Sequence, residues 1–222
     1  MIRYKNLFLV GTSHISKKSV DDVEKTILNV KPRFIALELD KRRFNLLNLK
    51  KGRIKFRIKD LKELGFKAYL LNLIGAWLEK KMSKKIGTEP GDEMRKAVDI
   101  ARKLKIELLL IDQDIKDTLN KLVSRISFRE KILFIKELIL GKKEIEFNIK
   151  KVPSERYINK IVNVIKRDYP SFYLTIIKER NEYMANKIYQ VIRKYPKDKV
   201  VGVVGAGHEK GIIGEIKLLE KI

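Results

Sequence analysis

The 222-residue chain contains no cysteine. That excludes a disulfide framework, a thiol nucleophile, an iron–sulfur centre and any cysteine-based zinc site. Imidazole is almost as scarce, with His14 and His208 the only two histidines. No stretch reaches the roughly 18 uninterrupted apolar residues of a membrane-spanning helix. The best candidate, Ala68 to Leu78, is too short and contains Asn72. The start, MIRYKNLFLVGTSH, lacks a small-residue cleavage site of the secretory kind and reads as a first β-strand. Acidic residues are outnumbered, 28 Asp+Glu against 51 Lys+Arg, which leaves a formal net charge of +23. A hydrophobic content of 44% is enough for a sizeable core and argues against intrinsic disorder. Abundant Lys, Ile and Glu without Cys is the balance typical of hyperthermophile proteins.

Three short apolar runs read as strands covered on both faces: Asn6–Val10, Arg33–Leu37 and Val200–Val204. A fourth, Glu107–Ile111, ends at Asp112. Helical periodicity separates them. Val20, Val23, Ile27 and Val30 share one face of Lys18–Val30, Pro32 follows as a stop, and Asp92–Leu104 and Tyr183–Tyr195 repeat the pattern. Strand and helix alternate at both chain ends. The expected fold is therefore α/β, a mostly parallel central sheet built from both chain ends and flanked by helices. Residues 1–222 read as a single domain, with helical insertions over about 60–86 and 115–196.

Both histidines occupy Gly-x-x-His, Gly11-Thr12-Ser13-His14 after the first strand and Gly205-Ala206-Gly207-His208 after the last. Glycine at a strand end permits a tight turn or close backbone approach, and an open α/β sheet collects ligands at the carboxyl ends of its strands. Two imidazoles are thus expected to converge from opposite ends of the chain. One histidine after a strand would pass as an ordinary polar residue; the repeated pattern argues for a shared site. Acidic residues end the other strands, Glu38 and Asp40 after one, Asp112 and Asp114 after the other. Each can bind a metal or move a proton. Glu89 and Glu93 lie around Pro90-Gly91 where the helix Asp92–Leu104 opens; carboxylates at a helix start ordinarily act as caps and dipole partners, which is the favoured reading for Asp92. For Glu38 the plain alternative is a salt bridge to Lys41, Arg42 or Arg43.

These residues resemble the TraB/PrgY family, which belongs with the Tiki proteases in a superfamily marked by two Gly-x-x-His motifs. The resemblance spans nearly the whole chain. It rests on Gly11 to His14, Glu38-Leu39-Asp40 with Arg43, and Pro90-Gly91-Asp92-Glu93-Met94 with Ala97. It continues through Leu110 to Asp114 with Thr118-Leu119, Glu179-Arg180-Asn181 with Met184-Ala185, and Val204 to His208 with Gly211-Ile212. By analogy with the Tiki branch, the resemblance implies a metal-dependent, peptidase-like hydrolase. His14 and His208 would be metal-proximal imidazoles, Glu38 a carboxylate ligand or general base, Glu93 a second carboxylate, and Arg180 the stabiliser of an oxyanion or substrate carboxylate. Arg43, Asp112, Asp114 and Asn181 would line the substrate side, and Gly11, Gly205 and Gly207 are the motif glycines. A mixed imidazole and carboxylate set accepts Mn, Fe, Co or Zn. PrgY is associated with shutting down a peptide pheromone, so the partner would be a peptide or other small substrate, cleaved or merely sequestered. A haem-binding branch and erythromycin-esterase-like relatives keep those roles open. Gln113 stands where the family pattern often has Arg between the two aspartates. Many archaeal members continue into C-terminal transmembrane segments, which implies here a soluble member or a soluble domain of a longer protein.

The charge raises a further class, a basic protein that binds a membrane surface or nucleic acid. The basic clusters Lys50-Lys51-Gly52-Arg53, Lys80-Lys81 with Lys84-Lys85, Lys142-Lys143 and Lys150-Lys151 are scattered and lack a nucleic-acid motif. Solvated faces account for most of them, an anionic membrane surface ranks next, and nucleic acid last. Tyr69, Leu70, Leu73, Ile74, Trp77 and Leu78 share a helical face between lysines, read first as core or a homodimer contact and second as an interfacial helix or an apolar substrate groove. The expected location is cytoplasmic, with membrane-peripheral association as the variant.

Overall fold

The structure, a computed structural model, describes residues 1–12, 17–48, 91–140 and 155–221. Its centre is a five-stranded sheet in the order β1-β2-β5-β3-β4. The strands are β1 (Ile2–Tyr4), β2 (Leu7–Thr12), β3 (Phe34–Leu37), β4 (Glu107–Leu110) and β5 (Val200–Gly205). Only β1 runs antiparallel; β2 with β5, β5 with β3 and β3 with β4 are all parallel. The last strand therefore sits in the middle of the sheet, in register with the first long strand from Leu7↔Val200 to Thr12↔Gly205. Both chain ends build one sheet, as the sequence predicts.

Alternation along the strands explains why helices cover both faces. On one face Leu7, Leu9, Phe34, Ala36, Val200 and Val204 pack against Met184, Ala185, Ile188, Ile212 and Ile216. Those belong to α8 (Glu179–Lys194) and α9 (Glu209–Leu219). The opposite parity, Val10, Ile35, Leu37, Val201 and Val203, meets Val23 and Ile27 of α1 (Lys17–Val30) and Met94, Ala97, Val98 and Ala101 of α3 (Asp92–Leu104). A strand apolar at every position has no solvent face, which is the signature of a doubly covered parallel sheet. Gly202 keeps the first face flat, because a Cβ there would lie 2.5 Å from Leu9 Cδ1.

Two elements differ from the sequence expectation. β1 was not anticipated: it is a three-residue edge strand, too short for period-two alternation to register, and its hairpin turns on Lys5 at φ 52° rather than on a glycine. Asn6 fixes that turn by donating from Nδ2 to Tyr195 O and Asp198 O, at 3.0 and 2.8 Å. α8 begins at Glu179, four residues before the apolar periodicity signals it, since its first turn carries the polar Arg180 and Asn181 inward.

Between β4 and β5 the described chain is helical: α4 (Ile115–Arg125), α5 (Phe128–Leu140), α6 (Glu155–Asp168), the short α7 (Pro170–Phe172) and a π-helical stretch Tyr173–Lys178 leading into α8. The stretch expected as an insertion thus closes with a helix, α8, that packs on the sheet. The expected helix over Asp60–Met82, with Trp77, lies outside the described residues. α2 (Lys41–Asn48) follows β3 directly. Among the described residues no helix is long and apolar enough to cross a membrane.

Glu130, in the first turn of α5, fastens this helical layer. One carboxylate oxygen accepts from Ser127 N and Oγ, both at 2.8 Å, and the other from Ser171 N at 2.7 Å. Burial pushes its carboxyl up, and the serine N–H and O–H donors outweigh that and hold it below the usual range. Asp40 behaves likewise. Burial raises it, while Arg43 and the Arg42 N–H lower it further than burial raises it. Both folded values lie below the unfolded ones, so the unfolded chain binds the extra protons. Their contribution to stability is complete above the unfolded carboxyl values near pH 4 and fades as pH falls through the folded values. Urea midpoints measured from pH 6 down to pH 2 should decline below about pH 4, less steeply in Glu130→Gln.

Candidate functional site

The carboxyl ends of β2, β5, β3 and β4 lie along one edge of the sheet, where parallel α/β proteins assemble ligand sites. Pairing extends slightly past the strands. Glu38 N donates to Val203 O at 3.1 Å, Asp112 N to Leu39 O at 3.3 Å, and Ala206 N to Thr12 O at 2.9 Å. Continuing the parity of Phe34 and Ala36, Glu38 emerges on the face covered by α8 and α9. Burying its carboxylate there is costly unless donors meet both oxygens. Gly205 N supplies one at 2.6 Å from Oε2, and Arg180 Nη2 supplies the other at 2.5 Å from Oε1.

Arg180 is the hub. Its Nε and Nη2 make a bidentate pair with Asp112, at 2.9 Å to Oδ1 and 2.6 Å to Oδ2. Nη1 donates to Ile176 O at 3.2 Å and faces His208 Nε2 at 3.2 Å. Burial works against the guanidinium charge, but Asp112 and Glu38 outweigh it and hold Arg180 more firmly protonated than a free arginine. A second arginine joins from α2: Arg43 Nη2 donates to Asp112 Oδ2, and its Nε donates to Asp40 Oδ2 at 2.8 Å. Asp40 Oδ1 accepts the Arg42 and Arg43 N–H groups at the start of α2. The two acidic residues after β3 thus go different ways: Asp40 caps the start of α2, whereas Glu38 turns to Gly205 N and Arg180.

His208 immediately precedes α9, and its Nδ1 lies 2.6 Å from Asn181 Oδ1. An amide oxygen only accepts, so Nδ1 carries the proton and Nε2 presents its lone pair toward Arg180 and Glu38. Nε2 and Glu38 Oε1 are 3.6 Å apart. Asn181 is kept in place by Gly211, where a Cβ would come within 2.0 Å of Asn181 Nδ2. Gly211→Ala should therefore break the Asn181–His208 bond and cost about 1–3 kcal/mol, the usual range for overpacking. A two-dimensional ¹H–¹⁵N spectrum of the histidine ring should show the loss of the fixed Nδ1–H tautomer.

Of the residues singled out in the sequence, Glu38, Arg43, Asp112, Arg180, Asn181 and His208 come together in one cluster at the strand ends. Others stand apart. Asp114 caps α4 through Lys116 N at 2.7 Å and is half-buried. Glu93 is buried in the first turn of α3 and is not among the partners of Arg180. Gly11 N donates to Glu209 Oε1 at 2.8 Å, and a Cβ on Gly11 would lie 2.2 Å from Glu209 Oε2. Gly205 gives its N–H to Glu38, while the space over Gly207 is open for 4 Å. His14 lies outside the described residues, although β2 brings the chain to that edge beside β5. Sequence reading missed Glu209, whose place directly after Gly-x-x-His was the available signal, and the Ser127/Glu130 pair, a Ser-x-x-Glu capping signature. It also missed the π-helical turn before Arg180, which has no composition signal.

Does this donor set suit a divalent ion? A metal-bound imidazole uses one nitrogen and donates from the other to a fixed acceptor, and ligating carboxylates are themselves hydrogen-bonded. His208 with Asn181, and Glu38 with Gly205 N, meet both conditions. Two donors 3.6 Å apart can share one ion at bonds of about 2.0–2.2 Å. As a pair they fit. Among the described residues no group of three such side chains surrounds a common point, and the cation that meets the pair here is Arg180.

The fold and this edge define a class: a parallel α/β protein with a buried imidazole, carboxylate and guanidinium centre beyond its strand ends. The chain belongs to the TraB/PrgY/gumN family, whose profile matches residues 3–222. It is 36% identical over 218 residues to protein MJ1365 of Methanocaldococcus jannaschii, covering 97% of this chain and 54% of that one. It is 24% identical over 230 residues to the human TraB domain-containing protein, covering 93% of this chain and 61% of the relative. The chain thus spans about half to three-fifths of the length of these relatives. Among solved structures it is similar to the ChaN protein of Campylobacter jejuni, described with cofacial haem binding. That likeness has a TM-score of 0.45 at 13% identity, over 97% of this chain and 77% of that one.

Proposed function

We propose that the cleft is a hydrolytic site of the metal-dependent, peptidase-like kind, acting on a peptide or other small substrate with a scissile carbonyl. The observation that carries the reading is the Glu38–His208 pair, 3.6 Å apart, each member oriented by its own fixed hydrogen bond. His208 and Glu38, with His14 as the expected third ligand, would hold the ion. When bound, it would supply the Lewis acidity that polarises a carbonyl and eases ionisation of the attacking water. The chain's own residues supply the rest. Gly205 N and Asn181 hold the two donors so that little reorganisation is needed. Glu38 would accept the proton that the water gives up. Arg180 carries the positive charge that a developing oxyanion or a substrate carboxylate would meet.

Cleavage of a mixed peptide library tests this by mass spectrometry, using protein stripped of metal and resupplied with Mn²⁺, Co²⁺ or Zn²⁺. Metal-restored cleavage that is absent from His14→Ala and Glu38→Gln is the expected result. Binding of peptides without turnover, from folded protein under every metal, would replace hydrolysis with sequestration.

A further inference from the structure

β1 is shorter than the strand it pairs with, and a cavity lies where it stops. Its register runs Ile2↔Leu9, Arg3↔Phe8 and Tyr4↔Leu7, so β2 continues through Val10, Gly11 and Thr12 without a described strand on that side. A cavity of about 330 Å³ opens there, with Val10 and Gly11 on the strand side and Asp22, Lys25, Thr26 and Asn29 of α1 opposite. We infer that this cavity binds a short extended peptide, which takes up the line of β1 beside Gly11 with its amino end at Asp22 and its carboxyl side toward Lys25. The inference deepens the peptide reading of the strand-end cleft by naming where substrate main chain is held, and it rests on that reading for the class of ligand alone.

The main chain of β2 is set for such a partner. Asn6 O accepts from Val200 N and Thr12 O from Ala206 N, both at 2.9 Å, so alternation along the strand turns the N–H and C=O of Gly11 away from β5, toward the edge that β1 leaves open. In an antiparallel pair the next residue on the line of β1 would exchange two hydrogen bonds with Gly11. Glu209 Oε1 meets the Gly11 N–H at 2.8 Å, a carboxylate oxygen in the place of that residue's carbonyl. The Gly11 carbonyl is the acceptor offered to the N–H of an added chain. Extending a sheet edge in this way is a recurrent mode of peptide recognition, in which main-chain bonds give affinity and flanking side chains give specificity.

The helix side supplies direction. Asp22, Lys25, Thr26 and Asn29 stand at i, i+3, i+4 and i+7, on one face of α1. The ion pair of this helix is made by Glu24, with Lys96 at 3.2 Å. Among the described residues Asp22 and Lys25 make no ion pair, so both charges are available to a ligand. Because α1 joins two parallel strands, it runs back from their carboxyl ends, which puts Asp22 about one turn nearer those ends than Lys25 and about two turns nearer than Asn29. A chain antiparallel to β2, as β1 is, has its amino end toward the same strand ends. Its ammonium therefore meets Asp22 and its carboxylate faces Lys25, with Thr26 and Asn29 beside its amide groups; the reverse direction would set like charges together. The volume lies at the lower end of the range for small-ligand sites and suits a short peptide rather than a folded partner.

The test is titration calorimetry of the full chain with trialanine, N-acetyl-trialanine and trialanine amide, in EDTA so that binding is read without turnover. Wild type, Asp22→Asn, Lys25→Met, Thr26→Phe and Glu38→Gln are compared. Asp22→Asn and Lys25→Met should each weaken trialanine by about fivefold, the upper end of what an ion pair near the surface is worth. Thr26→Phe, which fills the cavity, should abolish binding, and Glu38→Gln should leave it as in wild type. Acetylating the amino end should remove the effect of Asp22→Asn, and amidating the carboxyl end that of Lys25→Met. These side chains stand on a helix surface, and the melting temperature confirms that each variant is folded. Equal trialanine affinity in wild type, Asp22→Asn and Lys25→Met overturns the inference; a loss confined to Glu38→Gln then assigns the peptide to the cleft and leaves the proposed function standing. Absence of trialanine binding by folded wild type also overturns the inference, while cleavage of the peptide library decides the hydrolytic reading by itself.

Discussion

Arg180→Met should lose about 3–5 kcal/mol of stability, read from urea unfolding at neutral pH without added metal. That is the usual consequence of removing one partner from a buried charge cluster. The size follows from what the guanidinium satisfies. It gives two hydrogen bonds to Asp112 and one to Glu38, and these carboxylates have side chains only 2% and 5% exposed. Arg43 still reaches Asp112, so the carboxylate left without a positive partner is chiefly Glu38, and Gly205 N alone cannot neutralise it. A surface pair flanking Arg180 in the chain is the control. Lys178 and Glu182 lie 3.6 Å apart at i,i+4 with both side chains about half exposed, and Glu182→Ala should change stability by less than about 0.5 kcal/mol. Arg180→Lys is not a conservative change, because Nε, Nη1 and Nη2 each have a partner and a single ammonium cannot reproduce the fork. A loss in Arg180→Met no greater than in Glu182→Ala would mean that water reaches the cluster and the network is not a closed one.

The sheet was legible because its parallel strands are short, mostly apolar runs bounded by polar turns, a pattern that survives without knowledge of tertiary contacts. That Val200–Val204 is covered on both faces was legible in the same way, whereas its place in the middle of the sheet was not, because an apolar run carries no strand order. β1 escaped because three residues cannot show a period, and Lys5 adopts a left-handed turn that composition assigns to glycine or asparagine.

At the site, residue positions were readable and pairings were not. Strand ends announce themselves, so Glu38, Asp112 and His208 could be named from spacing alone. Nothing in spacing says that Glu38 and Asp112 share one guanidinium from a helix more than 60 residues further along the chain than either, because that follows from how α8 lies on the sheet. The helix-salt-bridge alternative for Glu38 chose the right residue type and the wrong neighbour. The local partner Arg43 belongs to Asp40, which caps α2, while parity sends Glu38 through to the opposite side of the strand. Asp114 shows the same local rule from the other side. It ends a strand segment as Asp112 does, but two residues further on it has already become the N-cap of the next helix.

On the proposed hydrolytic reading, Glu38→Gln should lower turnover by about 10²–10⁴-fold, the range associated with a positioned acid or base, while the protein stays folded. The substitution preserves shape. The amide oxygen can still accept from Gly205 N, and Arg180 keeps its bidentate pair with Asp112, so the stability loss should stay near 1–3 kcal/mol, that of a weakened hydrogen bond to a charged group. Asn181→Leu should act differently. It leaves both donors present but removes the acceptor that fixes the His208 tautomer, and loss of such an orienting partner costs 10- to 100-fold. Measuring kcat/KM and Mn²⁺ affinity together separates the two roles. For Asn181→Leu both quantities should fall in parallel, because a misoriented imidazole weakens the ion and the reaction by the same route. For Glu38→Gln turnover should fall further than affinity, because a carboxylate that also takes the proton of the attacking water is needed after the ion is bound. Parallel losses in both variants would reduce Glu38 to a ligand and move the proton acceptor to another group at the same strand ends.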